Sequence, residues 1–352
     1  MVDKIRVLIV DDSAIVRKML ARLLSSDPQI EVVGWAPDPY IAREKLFELK
    51  PDVMTLDIEM PRMDGITFLN KVMKHRPTRT LVISSLSKRG SEMALRAFEV
   101  GAIDVIEKPS IDVQSSLESQ AKVIIDKVKV VARANLVGYQ QKIKTQPVSA
   151  QVSASLGQTT HQILAFASST GGTEALRVVL SHLPPNIPGT LIVQHMPPVF
   201  TNSYANSLNK LCPFEVKEAK DGDKVVPGQV LLAPGNYHME LNRSGAFYFV
   251  QLHQKPFLHG VRPAADYLMK SVANKAGKNA VGVILTGMGR DGADGLLAMK
   301  NSGSYNIAQD EKSCVVFGMP KEAIEIGAID KVITLERIAG EIVNQLRLRN
   351  AA

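Results

Sequence analysis

The sequence is poor in cysteine: 352 residues hold two, Cys212 and Cys314. No Cys-x-x-Cys pair exists, which sets aside a zinc ribbon, a dithiol redox site and a small disulfide scaffold. Two isolated thiols fit a reducing compartment. Long apolar runs are absent too. Nothing approaches the roughly 18 apolar residues of a membrane-spanning helix. The opening MVDKIRVLIVDD has only a short apolar stretch before Asp11 and Asp12, unlike a secretory signal. A cytoplasmic protein without membrane insertion is expected. Clustered charge is also missing. The net charge is +7, but residues 1–130 carry 20 basic and 19 acidic side chains, 131–160 carry three and none, and 161–352 carry 19 and 16. A phosphate-backbone footprint needs clustered cations, so no nucleic-acid partner is expected.

What is present is ordinary globular composition, 45% hydrophobic and 22% charged. The length exceeds a single domain of about 100 to 200 residues. Residues 1–130 alternate apolar strands with amphipathic helices. Strands are expected at Ile5–Val10, Ile30–Trp35, Val53–Leu56, Leu81–Ile83 and Ile103–Ile106, each followed by a helix. Five such units imply a parallel sheet with helices on both faces. Residues 131–160 lose the pattern and are rich in Gln, Ser and Thr, which reads as a flexible linker. From 161 to 352 the α/β pattern returns, with strands at Ile163–Ala167, Thr190–Gln194 and Val281–Thr286 and a β-rich stretch over 213–255. The expected fold is two doubly wound parallel-sheet domains, flavodoxin-like and then Rossmann-like with a β-rich insertion.

In the first domain Asp11 and Asp12 follow the first strand, Asp57 the third and Lys108 the fifth. In the flavodoxin-like order these strand ends are neighbours. Three close carboxylates need a cation, and hard oxygen ligands suit Mg²⁺. The bland alternative is solvated acids on loops. VLIVDDS, TLDIEMPRMDG, the VISS strand end and EKP together resemble a response-regulator receiver domain over residues 4 to about 128. The resemblance implies that Asp57 accepts a phosphoryl group from a histidine kinase. It implies Mg²⁺ held by Asp11, Asp12 and Asp57, with the Glu59 carbonyl completing the set. Lys108 would pair with the phosphoryl oxygens and Ser84 would be the switch hydroxyl, with adjacent Ser85 as the alternative.

In the second domain Ser168-Ser169-Thr170-Gly171-Gly172 lies between a strand and a helix, where backbone N–H groups favour negative charge. The stretch is not Gly-x-Ser-x-Gly. His195 follows the strand Thr190–Gln194, and Asp291 follows Val281–Thr286. Each has a bland reading: a helix cap, a structural histidine, a turn. What they share is a place just past a parallel strand, where ends converge, and Ser, His and Asp together suggest nucleophile, base and orienting carboxylate. Gly287-Met-Gly-Arg-Asp-Gly292 also fits G-x-G-x-x-G, with Asp310 about twenty residues on, so a dinucleotide site is an alternative.

ASSTGGTEAL, VQHMPP, APGNYHMEL, VGVILTGMGRDGADG and SCVVFGMP resemble the catalytic domain of the chemotaxis protein-glutamate methylesterase (CheB) family. That resemblance runs from about Ile163 to the end. It implies Ser169 as nucleophile, His195 as base and Asp291 as its orienter, with the backbone at Thr170 and Met288 as candidate oxyanion donors. It further implies hydrolysis of glutamyl methyl esters, and of glutamine amides, on methyl-accepting chemoreceptors, with no cofactor for that chemistry. The receiver is then expected to inhibit the hydrolase until Asp57 is phosphorylated. A DNA-binding regulator and a non-catalytic adaptor are the other classes. The first lacks a compact basic output domain, and the second leaves Ser169, His195 and Asp291 without a task.

Overall fold

The computed structural model describes residues 4–85, 87–109, 114–135 and 161–351. These fall into two compact units, one within Met1–Thr145 and one within Gln146–Ala352. Of the expected linker, residues 136–160 lie outside the described residues.

The first unit runs β1 (Ile5–Val10), α1 (Ala14–Ser25), β2 (Ile30–Ala36), α2 (Pro39–Leu49), β3 (Val53–Asp57), α3 (Gly65–His75), β4 (Arg79–Ser84), α4 (Lys88–Val100), β5 (Asp104–Glu107) and α5 (Gln114–Arg133). The strands form one sheet in the order β2-β1-β3-β4-β5, and every pairing is parallel. All of β3 is buried, as are the last four residues of β1. Continuous apolar strands are what a sheet covered on both faces requires. Helices α1 to α4 start from side-chain caps. Ser13 accepts from the Val16 N–H, Asp38 from Tyr40 and Ile41, Asp64 from Thr67, and Ser87 from Gly90. Such caps satisfy N–H groups that a first helical turn leaves unpaired.

The second unit opens with β6 (Ile163–Ser168), α6 (Gly172–Ser181), β7 (Gly189–Gln194), α7 (Phe200–Leu211), β8 (Glu215–Glu218), β9 (Lys224–Val225) and β10 (Gln229–Leu232). It continues with β11 (His238–Ser244), β12 (Phe247–His253), α8 (Ala265–Lys275), β13 (Ala280–Ile284), α9 (Ala293–Asn301) and β14 (Tyr305–Gln309), and closes with α10 (Met319–Glu325), β15 (Lys331–Ile333) and α11 (Leu335–Ala351). Seven parallel strands form the main sheet in the order β15-β14-β13-β6-β7-β10-β8. The expected β-rich stretch contributes an antiparallel sheet, β11-β12-β9. Strand β6 sits at the centre, and the chain winds outward from it in both directions. The crevice beyond its carboxyl end is where ligands of open α/β sheets bind.

Two features differ from the sequence expectation. The strand expected over Val281–Thr286 ends at Ile284. Thr286 leaves the ladder because its hydroxyl donates to Thr170 O at 3.0 Å and its N–H to Gln309 Oε1 at 2.8 Å. Four elements after residue 302 carried no expectation. Strand β14 (YNIAQ) hides its role because Asn306 and Gln309 are polar yet fully buried. Their amides satisfy backbone instead, Asn306 Nδ2 donating to Leu296 O and Ala328 O, and Gln309 Nε2 to Ser313 O.

Candidate active site and acidic pocket

At the carboxyl edge of the second sheet, the cap residues of α6, α7, α8, α9 and α10 are Gly171, Val199, Ala264, Gly292 and Gly318. None contributes a side-chain cap. Helices α1 to α4 of the first unit carry their own side-chain caps, whereas these helix N-termini need acceptors from elsewhere.

The register places the expected residues side by side. Ser168 pairs with Gln194 across β6 and β7, so Ser169 and His195 are the next residues of adjacent strands. The His195 N–H donates to Ser168 O at 3.1 Å and the Ser169 N–H to Thr286 O at 3.0 Å. Strand β13 flanks β6 on the other side, and Asp291 lies on the loop after it. His195 Nε2 and Asp291 Oδ2 are 2.8 Å apart. A carboxylate only accepts, so Nε2 carries the proton and Nδ1 is the basic nitrogen. Asp291 also accepts the N–H groups of Ala265 at 2.5 Å and Asp266 at 3.0 Å, the first turn of α8. Burial opposes its ionisation, but His195 and these two N–H groups outweigh that and hold the carboxyl below its ordinary value. Ser169 is 5% exposed. Ser168, the neighbouring serine, is fully buried and donates to Gln194 Oε1 at 2.6 Å.

Gly171 has φ +76°, and a Cβ there would sit 2.6 Å from Val315 Cβ. Only glycine turns the chain from Ser169 into α6 at that point. Thr170 is buried and its carbonyl accepts from Thr286, while Met288 is 40% exposed beside Gly287. The loop glycines serve this packing. The Gly287 N–H donates to Val316 O, and the Gly292 and Gly295 N–H groups donate to Asp266 Oδ1. A pyrophosphate would need those same N–H groups. Asp310 accepts from Ser313 N and Oγ in a local turn. Gly287 and Gly292 therefore answer to packing and hydrogen bonds, and Gly289 to its positive φ of +83°, not to a dinucleotide.

Gln194 was not anticipated. Besides receiving Ser168, its amide donates to Ser169 O at 2.9 Å and His195 O at 3.2 Å, tying the two strand ends together. Its place directly before His195 was the available signal. Asp266 was missed as well, hidden among apolar residues of an amphipathic helix.

In the first unit Lys108 Nζ lies 2.7 Å from Asp57 Oδ2 and 3.2 Å from Asp11 Oδ2. Glu59 N–H donates to Asp57 Oδ1 at 3.0 Å. Burial pushes the Asp57 carboxyl up to about 6, against Lys108 and the Glu59 N–H. Burial likewise raises Asp11. For Lys108, burial opposes the charge, but Asp57 and Asp11 outweigh it and raise the ammonium above its ordinary value. Carboxylate oxygens of Asp11, Asp12 and Asp57 lie within 4.8 Å of one another. Asp11 Oδ2 is buried and faced only by the Lys108 ammonium at 3.2 Å. A buried oxygen held by a single ammonium in an all-oxygen set fits a hard divalent cation. Ser84 Oγ donates to Gly90 O at 3.3 Å, while Ser85 Oγ donates to Glu59 Oε2 at 2.7 Å. Neither serine hydroxyl bonds to Asp57 here.

Among the described residues, no helix is long and apolar enough to cross a membrane.

Residues 164–342 match the CheB methylesterase family and residues 7–118 the response regulator receiver domain family. A protein-glutamate methylesterase/protein-glutamine glutaminase of Bdellovibrio bacteriovorus is 65% identical over 354 residues, covering 100% of both chains. One of Escherichia coli is 47% identical over 345 residues, covering 97% of each. The crystal structure of the Thermotoga maritima CheB methylesterase catalytic domain is 40% identical, with a TM-score of 0.51 over 52% of this chain and 97% of that one.

Proposed function

Since the chain belongs to the CheB methylesterase family and carries a receiver domain ahead of its catalytic region, we propose that it is a phosphorylation-regulated serine hydrolase of glutamyl methyl esters on chemoreceptors. Glutamine side-chain amides on the same receptors are the second substrate class. One observation carries the chemistry: three adjacent strand ends, β13-β6-β7, bring Asp291, Ser169 and His195 to one edge, with His195 Nε2 on Asp291 at 2.8 Å.

Ser169 Oγ attacks the ester carbonyl while His195 Nδ1 takes its proton. Asp291 holds the ring and balances the imidazolium. The developing oxyanion faces the turn before α6 and the loop after β13, where the Thr170 and Met288 backbone N–H groups respectively are the proposed donors. His195 returns the proton to the leaving methoxide, methanol departs, and a glutamyl-serine ester remains. Water, deprotonated by His195, hydrolyses that ester to the free glutamate and regenerates Ser169. An amide substrate passes through the same acyl-serine and releases ammonia.

Asp57 is the proposed phosphoryl acceptor, served by a histidine kinase of the chemotaxis pathway in the cytoplasm. Asp11, Asp12, Asp57 and the Glu59 carbonyl would hold Mg²⁺, which when bound supplies charge neutralisation for phosphoryl transfer. Lys108 would then pair with the added phosphoryl oxygens, and Ser84 would move from Gly90 toward them. The unphosphorylated receiver restrains the hydrolase, and phosphorylation releases it. Ser169→Ala tests the chemistry. It is expected to lower turnover on ester and amide by at least about a thousandfold with an unchanged melting temperature. Retained turnover removes the assignment.

A further inference from the structure

We propose that Asp266 is a positioning residue for the hydrolase, locking Asp291 in place by a reciprocal exchange of helix caps; this inference rests on the esterase reading above. Two helices start at the site, α8 at Ala265 and α9 at Ala293, and neither has a side-chain cap of its own. Each aspartate supplies the other's helix. Asp291, two residues before α9, accepts the Ala265 and Asp266 N–H groups that open α8. Asp266, in the first turn of α8, accepts the Gly292 and Gly295 N–H groups at 3.1 and 2.7 Å where α9 begins.

The loop is closed covalently as well, because Gly292 directly follows Asp291. Whatever fixes the Gly292 N–H fixes the peptide that carries Asp291. Asp266 is fully buried, and its second oxygen, Oδ2, meets His259 Nε2 at 2.9 Å. Gly295 lets the helices approach closely, since a Cβ there would lie 2.5 Å from Met269 Cβ. The preceding residue of α8 is anchored too: the Ala264 N–H donates to Nδ1 of buried His238 at 3.0 Å. Three successive N–H groups therefore end on side-chain acceptors, and two of those bonds end on Asp291.

Removing the Asp266 carboxylate frees the Gly292 and Gly295 N–H groups and lets Asp291 drift from His195. A displacement of about an ångström at a reacting group costs roughly a hundredfold in rate. The effect belongs in kcat, because Asp266 is fully buried and reaches the reaction only through Asp291.

The test uses the full chain. Asp266→Ala is expected to lower kcat roughly tenfold to a hundredfold with KM within about threefold. Asp266→Asn keeps an acceptor oxygen and is expected to recover most of the rate. The second readout is the downfield proton resonance of the His195 Nε2–H bound to Asp291, expected in wild type and Asp266→Asn and shifted or lost in Asp266→Ala. If Asp266→Ala does not fold, Asp266→Ser replaces it, since its hydroxyl is too short to reach both N–H groups. Wild-type kcat together with an unshifted resonance in the folded Ala or Ser variant overturns the proposal. The resonance needs no turnover. Should the chain prove not to be an esterase, with no Ser169-dependent release, the positioning of Asp291 is still decided by the proton signal.

Discussion

Asp57 shows how burial and function pull against each other in one carboxyl group. Its protonation midpoint is pushed from an ordinary 3.8 to about 6, chiefly by burial. Between those values the folded protein holds a proton that the unfolded chain has released. Stability therefore falls as pH rises through that window, and the penalty persists above it. Without Mg²⁺, Asp57→Asn removes the penalty, so its gain in receiver melting temperature over wild type is expected to be larger at pH 8 than at pH 4. Thermal denaturation at the two pH values checks this, and equal gains contradict it. The same burial makes the ionised pocket a good cation site, since Asp11 Oδ2 is faced only by the Lys108 ammonium. Asp291 has the opposite balance. It is as buried as Asp57, yet His195 and two helix N–H groups keep it ionised.

At the scale of elements, the site depends on how closely strand ends and loops approach. A Cβ on Gly287 would lie 2.8 Å from Ser169 Cβ and 2.3 Å from Met319 Sδ. Gly287→Ala is therefore expected to push the Ser169 turn aside, lowering kcat roughly tenfold or more and stability by about 1–3 kcal/mol. Steady-state kinetics with a denaturant titration would show it, and a wild-type kcat would refute it. Much of this edge was legible in the sequence. Continuous apolar runs marked β1, β3, β6 and β7, and polar residues just beyond them marked Asp57, Ser169 and His195. Asp291 was placed although its strand ends two residues earlier than expected. What stayed hidden were polar residues that the fold consumes internally. Asn306 and Gln309 break the apolar pattern of β14, and Asp266 looks like an ordinary exposed residue of an amphipathic helix. Most of their backbone partners lie 10 to 29 residues away in sequence, which local periodicity does not register. The opposite misdirection came from the loop after β13, where glycines needed for close packing and a positive φ mimic a nucleotide-binding fingerprint.

At the scale of the whole molecule, one chain joins the acidic pocket of a receiver domain to the catalytic edge of a methylesterase-family domain. Restraint by the receiver implies that removing it raises basal activity. A fragment of residues 150–352 is expected to hydrolyse receptor esters several-fold faster than the unphosphorylated full chain and to ignore a phosphodonor. A fragment no faster than the full chain would discard inhibition by the receiver while leaving the esterase intact. The measurement that decides most is methanol release from methylated receptor membranes by the full chain, with and without a small-molecule phosphodonor and Mg²⁺. Release should rise with the donor in wild type, stay at the basal level in Asp57→Ala and vanish in Ser169→Ala. Release that is absent under both conditions, or that persists in Ser169→Ala, would contradict a Ser169 hydrolase governed by Asp57.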